Sequence, residues 1–272
     1  MGGTASTLAD LRREIDEIDR GVHDLLMRRA SVVEATAAAK AEADAGGDAP
    51  AQIVYPAREA EIVRRLGARH RGRMPLQTVV QIWREIMAAS VNLQRRMHVG
   101  VVESSADRVL PTARDHFGVT VSTRPFATAA ALFEAVAATP DLIGLLPFPD
   151  SRGGEAPWWL DLASGAGDAA RVVARLPFLK RNGGDALAVG AFDPGVSGAD
   201  ASLFVVETRA PLAAQPAALR ILARAARGAR AAALVEIDGD AAAADRESLR
   251  MAAAGGNAEV RHVGGYAVQL AA

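Results

Sequence analysis

Cysteine is absent from this 272-residue chain, so disulfides, thiolate nucleophiles and cysteine-built zinc sites are excluded, and a reducing cytoplasm suits the composition. Aromatic side chains make up only 4 % and the formal net charge is −1, which leaves neither stacking platforms nor a basic field for nucleic acid. No apolar run is long enough to span a bilayer, and the opening Met-Gly-Gly-Thr-Ala-Ser lacks the apolar core of a signal peptide. A cytoplasmic protein with no membrane or nucleic-acid partner is the expectation. The glycine-rich turns never form a GxGxxG fingerprint, so nucleotide binding has no support. Lysine is nearly absent too: Lys40 and Lys180 stand against 29 arginines. A compact ammonium used where the composition otherwise writes arginine points to a specific role.

What the sequence does have is a long amphipathic stretch. Leu8, Leu11, Ile15, Ile18, Val22, Leu25, Leu26, Val32 and Val33 step by three and four, and Gly21 is the only glycine or proline between Thr7 and Ala43. Such a helix runs roughly 55 Å and cannot bury its stripe alone. Arg29 and Lys40 lie eleven residues apart, close to three turns, so they project from one face and can clamp a small anion. Arg12 is seventeen residues before Arg29, roughly 25 Å away, and cannot reach the same anion. If Arg12 binds substrate, it does so in a second copy of the site. Ordinary surface charge explains all three cations equally well at this point.

After a loop over Ala43 to Gln52, Pro56 opens a second helix through Arg71, and Pro75 opens a third through Arg96 with Val79, Ile82, Trp83, Ile86, Met87 and Val91 as its apolar face. Ser90 and Gln94 continue the Ile82–Ile86 line and therefore point inward. Arg58, four residues before Ile62 and beside Glu59, is expected to look the same way. Arg29, Lys40, Arg58, Ser90 and Gln94 together describe a cationic pocket with neutral donors, suited to a compact polyanion inside a helical bundle.

Leu11 to Asp19 (LRREIDEID), Leu25 to Arg29 (LLMRR), Lys40, Pro56 to Ala60 (PAREA) and Ser90 to Gln94 (SVNLQ) resemble the all-helical class of chorismate mutases. The resemblance covers residues 1–98 and implies an all-α three-helix N-terminal domain, intertwined as a homodimer along its very long first helix. It implies rearrangement of chorismate to prephenate in phenylalanine and tyrosine biosynthesis, without metal or cofactor. Arg12 of the partner and Arg29 would hold the two carboxylates, Lys40 and Gln94 would donate to the ether oxygen, and Glu59 would accept from the ring hydroxyl. Arg58 would support the charged pocket and Ser90 would assist a carboxylate. One departure is Tyr55, which stands where the family often has an acidic residue.

From Val99 the texture changes to alternating strands and helices, which predicts a C-terminal α/β domain over residues 99–272 with a partly parallel sheet. Strands are predicted at Val99 to Glu103, Val119 to Phe126, Leu142 to Leu146, Ala170 to Leu176, Ala186 to Ala191, Ser202 to Glu207, Ala231 to Ile237 and Glu259 to Gln269. Helices are predicted at Ala106 to His116, Thr128 to Ala138, Ala217 to Arg227 and Ala241 to Ala253. Gly144 to Ser151 (GLLPFPDS) and Ala113 to Gly118 (ARDHFG) resemble motifs of prephenate dehydratases. Asp200 to Phe204 (DASLF) resembles that family's Asn-x-Thr-Arg-Phe, with Leu203 in the place of the arginine. Pro149-Asp150 replaces a Glu-Asn pair, and the 46 positions from Gly154 to Asp200 leave no room for the family's second lobe. Val235 to Asp240 and Val263 to Tyr266 echo an ACT-type regulatory segment. The expectation is a mutase with a truncated, catalytically silent dehydratase-like domain. The alternatives are a bifunctional mutase/dehydratase and a non-enzymatic helical dimerisation module carrying a ligand-sensing α/β domain.

Overall fold

The computed structural model describes residues 7–43, 52–149, 157–165, 167–181, 184–209, 219–239 and 258–271. The helix expected over Ala241 to Ala253, most of the loop after Ala43, and Asp150-Ser151 lie outside the described residues. Three helices come first: α1 (Leu8–Ala43), α2 (Pro56–Arg69) and α3 (Leu76–Gln94). Thr7 starts α1 by a reciprocal cap: its hydroxyl accepts from Asp10 N–H at 3.2 Å while its own N–H reaches the Asp10 carboxylate at 3.0 Å. Pro56, with no N–H to lose, occupies the first turn of α2.

The rest is a mixed sheet: β1 (His98–Val102), β2 (Ser122–Phe126), β3 (Leu142–Pro147), β4 (Arg171–Leu176), β5 (Ala186–Gly190), β6 (Asp200–Thr208), β7 (Leu219–Arg227), β8 (Arg230–Asp238) and β9 (Glu259–Ala267). Among the described residues its order is β2-β1-β3-β5-β4-β9-β6-β8-β7. Strand β1 runs parallel to β2 and β3, and the crossovers are α4 (Ala106–Phe117) and α5 (Ala129–Ala138). Alternation along β1 sends its side chains to both faces. Val99 and Val101 pack with Val109, Ala113 and Phe117 of α4. Val102 packs with Leu132, Phe133 and Val136 of α5, in a cluster that extends to Trp159 and Leu162 of α6 (Trp159–Ser164). Gly100 and Gly144 face each other across the β1–β3 ladder, and a Cβ on Gly100 would lie 2.3 Å from Leu132 Cδ1. The leucine fills the groove that the two glycines leave.

Strands β6 to β9 form an antiparallel set with β7–β8 as a hairpin. Of the segments Val235 to Asp240 and Val263 to Tyr266, read in the sequence as ACT-like, the first falls on β8 as far as Asp238 and the second on β9. Residues Ala217 to Arg227 were expected as a helix, and Leu219–Arg227 is strand β7 instead. Leu, Ala and Arg favour helices locally, but pairing along β8 and cross-strand ion pairs of Arg220 with Glu236 and Arg227 with Glu207 override that preference. The short helix α6 had no clear sequence signal.

The helices and the sheet share their cores. Ile53, Val54 and Val91 belong to the apolar cluster beneath α4. Ala60, Val63, Val80 and Met87 pack on Phe178 and Leu179. Arg64 of α2 donates to the carbonyls of Ser197, Ala199 and Val268 and to the Ser197 hydroxyl, at 2.9 to 3.2 Å. The buried residues of α3 therefore read Val80, Arg84, Met87, Ala88, Ser90 and Val91, so that burial is centred to one side of the face read in the sequence, with Ser90, Met87 and Val91 shared. Ile82 and Trp83 stay exposed at 47 % and 36 %. So does the α1 stripe: Leu8, Leu11, Ile15, Ile18, Val22, Leu25 and Val32 are between 46 % and 66 % exposed in the single protomer. No described helix is long and apolar enough to cross a membrane.

Candidate active site

Helix α1 packs along α3 and brings residues 61 positions apart into contact. Arg29 donates to the Ser90 hydroxyl and to the Ile86 carbonyl at 3.4 Å. The Ser90 hydroxyl donates in turn to the Ile86 carbonyl at 2.7 Å. Partial burial lowers the pKa of Arg29 from its ordinary value, and the guanidinium stays charged. Gln94 is half-buried one turn further on and gives one amide N–H to the Ser90 carbonyl at 3.1 Å. Its second N–H is not used in that bond. Lys40, near the end of α1, donates to the Tyr55 hydroxyl at 3.0 Å.

One residue stands differently from the expectation. Arg58 does not look inward: its side chain is 60 % exposed and pairs with Glu61 at 2.9 Å, because the buried side of α2 is taken by Ala57, Ala60 and Val63. Glu59 is held beneath the helices, 2.6 Å from Arg84 of α3 and 3.5 Å from His116 of α4. Burial opposes the charged carboxylate, but the hydrogen bond from His116 and the charge of Arg84 more than offset it, so the Glu59 pKa lies below the usual value. Arg12 is exposed on α1, far from this group. Arg84 and His116 were missed by sequence reasoning, and Tyr55 was read only as a departure from the family pattern, without its contact to Lys40. Arg84 was legible in principle, since it falls on the Val80–Met87–Val91 register of a buried helix face.

His116 titrates at about 4, lowered first by burial and then by the Arg84 charge, with Glu59 pulling the other way. The native state therefore keeps His116 neutral where the unfolded chain binds a proton. Its contribution to stability is complete above about pH 6.5 and is lost as the pH falls towards 4, on the order of 3 kcal/mol in all. The Glu59 shift has the same sign and acts below the range of an ordinary carboxyl. Urea melts at pH 7 and pH 4.5 should show the loss, and His116→Gln should flatten the slope in that window.

Residues 11–95 match the family model described as chorismate mutase type II. The bifunctional chorismate mutase/prephenate dehydratase of Pseudomonas aeruginosa is 28 % identical over 155 residues, covering 57 % of this chain and 42 % of that protein. The protein of the same description from Aquifex aeolicus is 27 % identical over 159 residues, with the same two coverages. The matched stretch thus spans less than half the length of these relatives. Among solved structures, the prephenate dehydratase from Streptococcus mutans aligns with a TM-score of 0.39 at 11 % identity, over 64 % of this chain and 98 % of that one. The match to the chorismate mutase type II model falls on the helical part of the chain, α1 to α3.

Proposed function

We propose that the protein is an isomerase converting chorismate to prephenate, in a homodimer whose two sites are each shared between protomers. The observation that carries this reading is the convergence of Arg29, Ser90 and Gln94 across α1 and α3, with Lys40 on the same face of α1 as Arg29. The substrate is a dianion that rearranges within one molecule, so positioning and electrostatics must supply the catalysis. In this reading Arg29 and the partner's Arg12 hold the carboxylates, with Ser90 assisting Arg29. Lys40 and the spare N–H of Gln94 donate to the ether oxygen as its C–O bond breaks and negative charge gathers there. Glu59, kept ionised by Arg84 and His116, is the acceptor for the ring hydroxyl. The exposed stripe of α1 supports a second copy as its cover, since a run of seven large apolar side chains on one face is far from the scatter of an ordinary surface.

The α/β half is proposed to carry no dehydratase chemistry. Leu203, where the dehydratase pattern has arginine, is fully buried in the large apolar core of the sheet. Ser202, in the place of the threonine, donates to the Gly239 carbonyl at 2.8 Å. Purified full-length protein should consume chorismate and accumulate prephenate. No chorismate loss would overturn the mutase reading, and phenylpyruvate formed at neutral pH faster than prephenate decays unaided would establish the bifunctional one.

A further inference from the structure

We propose that Tyr55 is a positioning residue for Lys40, and that through it the α/β half fixes where the lysine ammonium stands. The proposal rests on the mutase reading for what Lys40 does, but the contact itself is independent of it. A lysine stem has four rotatable bonds, so a lone ammonium on a helix face samples a wide volume. Here Lys40 Nζ lies 3.0 Å from the Tyr55 hydroxyl and 4.4 Å from the ring centroid, so the phenol offers both a lone pair and a π-face. The hydroxyl gives its own proton to the Gln52 carbonyl at 2.6 Å. With its proton so directed, the oxygen turns a lone pair towards the lysine.

The segment that carries the phenol is itself fastened. The Gln52 amide donates to the Val54 carbonyl at 2.6 Å and to the Asp193 carbonyl at 3.2 Å. Two residues past Tyr55, the Ala57 N–H donates to the Pro194 carbonyl at 3.2 Å. Ile53 and Val54 are buried in the cluster beneath α4. The connection between β5 and β6 therefore grips the chain on both sides of Tyr55, and the α/β half reaches the lysine through three hydrogen bonds in series. A neutral phenol suits this task. It orients the ammonium without neutralising it, so the charge stays available to an oxygen that turns negative, whereas a carboxylate would compete for it.

The test uses the full-length chain with Tyr55→Phe, which keeps the ring and removes the hydroxyl. Because Lys40 and Lys180 are the only lysines, limiting acetylation with acetic anhydride read by mass spectrometry reports Lys40 against an internal reference. The Lys40-to-Lys180 labelling ratio is expected to rise about threefold or more as the ammonium is released. Turnover of chorismate should fall about tenfold in kcat with KM changed by less than about threefold. In a Lys40→Ala background the same substitution should leave the residual kcat unchanged. An unchanged labelling ratio overturns the contact, and an unchanged kcat overturns the positioning role. A kcat loss that persists without Lys40 also overturns it, since the effect would then be merely structural. Wild-type protein without turnover would overturn the mutase reading, while the labelling ratio still decides whether Tyr55 holds Lys40.

Discussion

Homodimers of Arg12→Ala and of Arg29→Ala are each expected to lose nearly all turnover, and a heterodimer of the two to regain about half of the wild-type rate. The two arginines sit seventeen residues apart on one helix, roughly 25 Å at 1.5 Å per residue. A site that needs both must take them from two chains. In each parent homodimer both sites lack an anion contact. In the heterodimer one site carries both defects and the other carries neither, so one site in two is intact. Co-expression with two different tags, followed by sequential affinity purification, isolates the heterodimer without relying on subunit exchange between intertwined helices. Correctly folded heterodimers that stay as inactive as the parents would rule out the shared site.

Gln94→Ala is expected to lower kcat on the order of 10²-fold with little change in KM. A donor to the breaking ether bond acts where charge develops, so its loss is felt in the transition state more than in substrate binding. The substitution also removes the side-chain bond to the Ser90 carbonyl, but that carbonyl keeps the backbone N–H of residue 94, four positions on in α3, as its helical partner. Stability should therefore change little. Steady-state kinetics with chorismate separate the two parameters, and an effect confined to KM would refute the donor role.

The helical half was legible because period and punctuation agree in it. Apolar steps of three and four run from Leu8 to Leu25, and Pro56 and Pro75 mark where the next helices begin. The Arg29–Ser90–Gln94 group was legible from the same periodicity, since polar residues on an apolar line must meet a partner. Arg58 was misjudged because a helical wheel gives the direction of a side chain relative to its own helix, not which neighbour claims that side. The sheet claimed the Ala57–Ala60–Val63 side of α2 and left Arg58 in water. The Glu59–Arg84–His116 cluster joins three helices over 57 residues of sequence, and no local pattern encodes such a meeting. Strand β7 was hidden for the opposite reason. Its composition speaks for a helix, and only the neighbouring β8 makes it a strand.

Arg64 has a consequence for how the two halves can be handled. Its planar guanidinium meets three carbonyls and a hydroxyl contributed by the connection before β6 and the tail of β9, and its charge lies 5.2 Å from the Phe178 ring centroid. A lysine could satisfy at most part of that set, and a polar residue with no fork would leave carbonyls stranded. Cutting the helices after residue 98 would leave the face of α2 that carries Arg64 without these partners. A transplant would have to bring the Ser197–Ala199 turn and the Val268 tail with it, or redesign the face of α2 that lies on them.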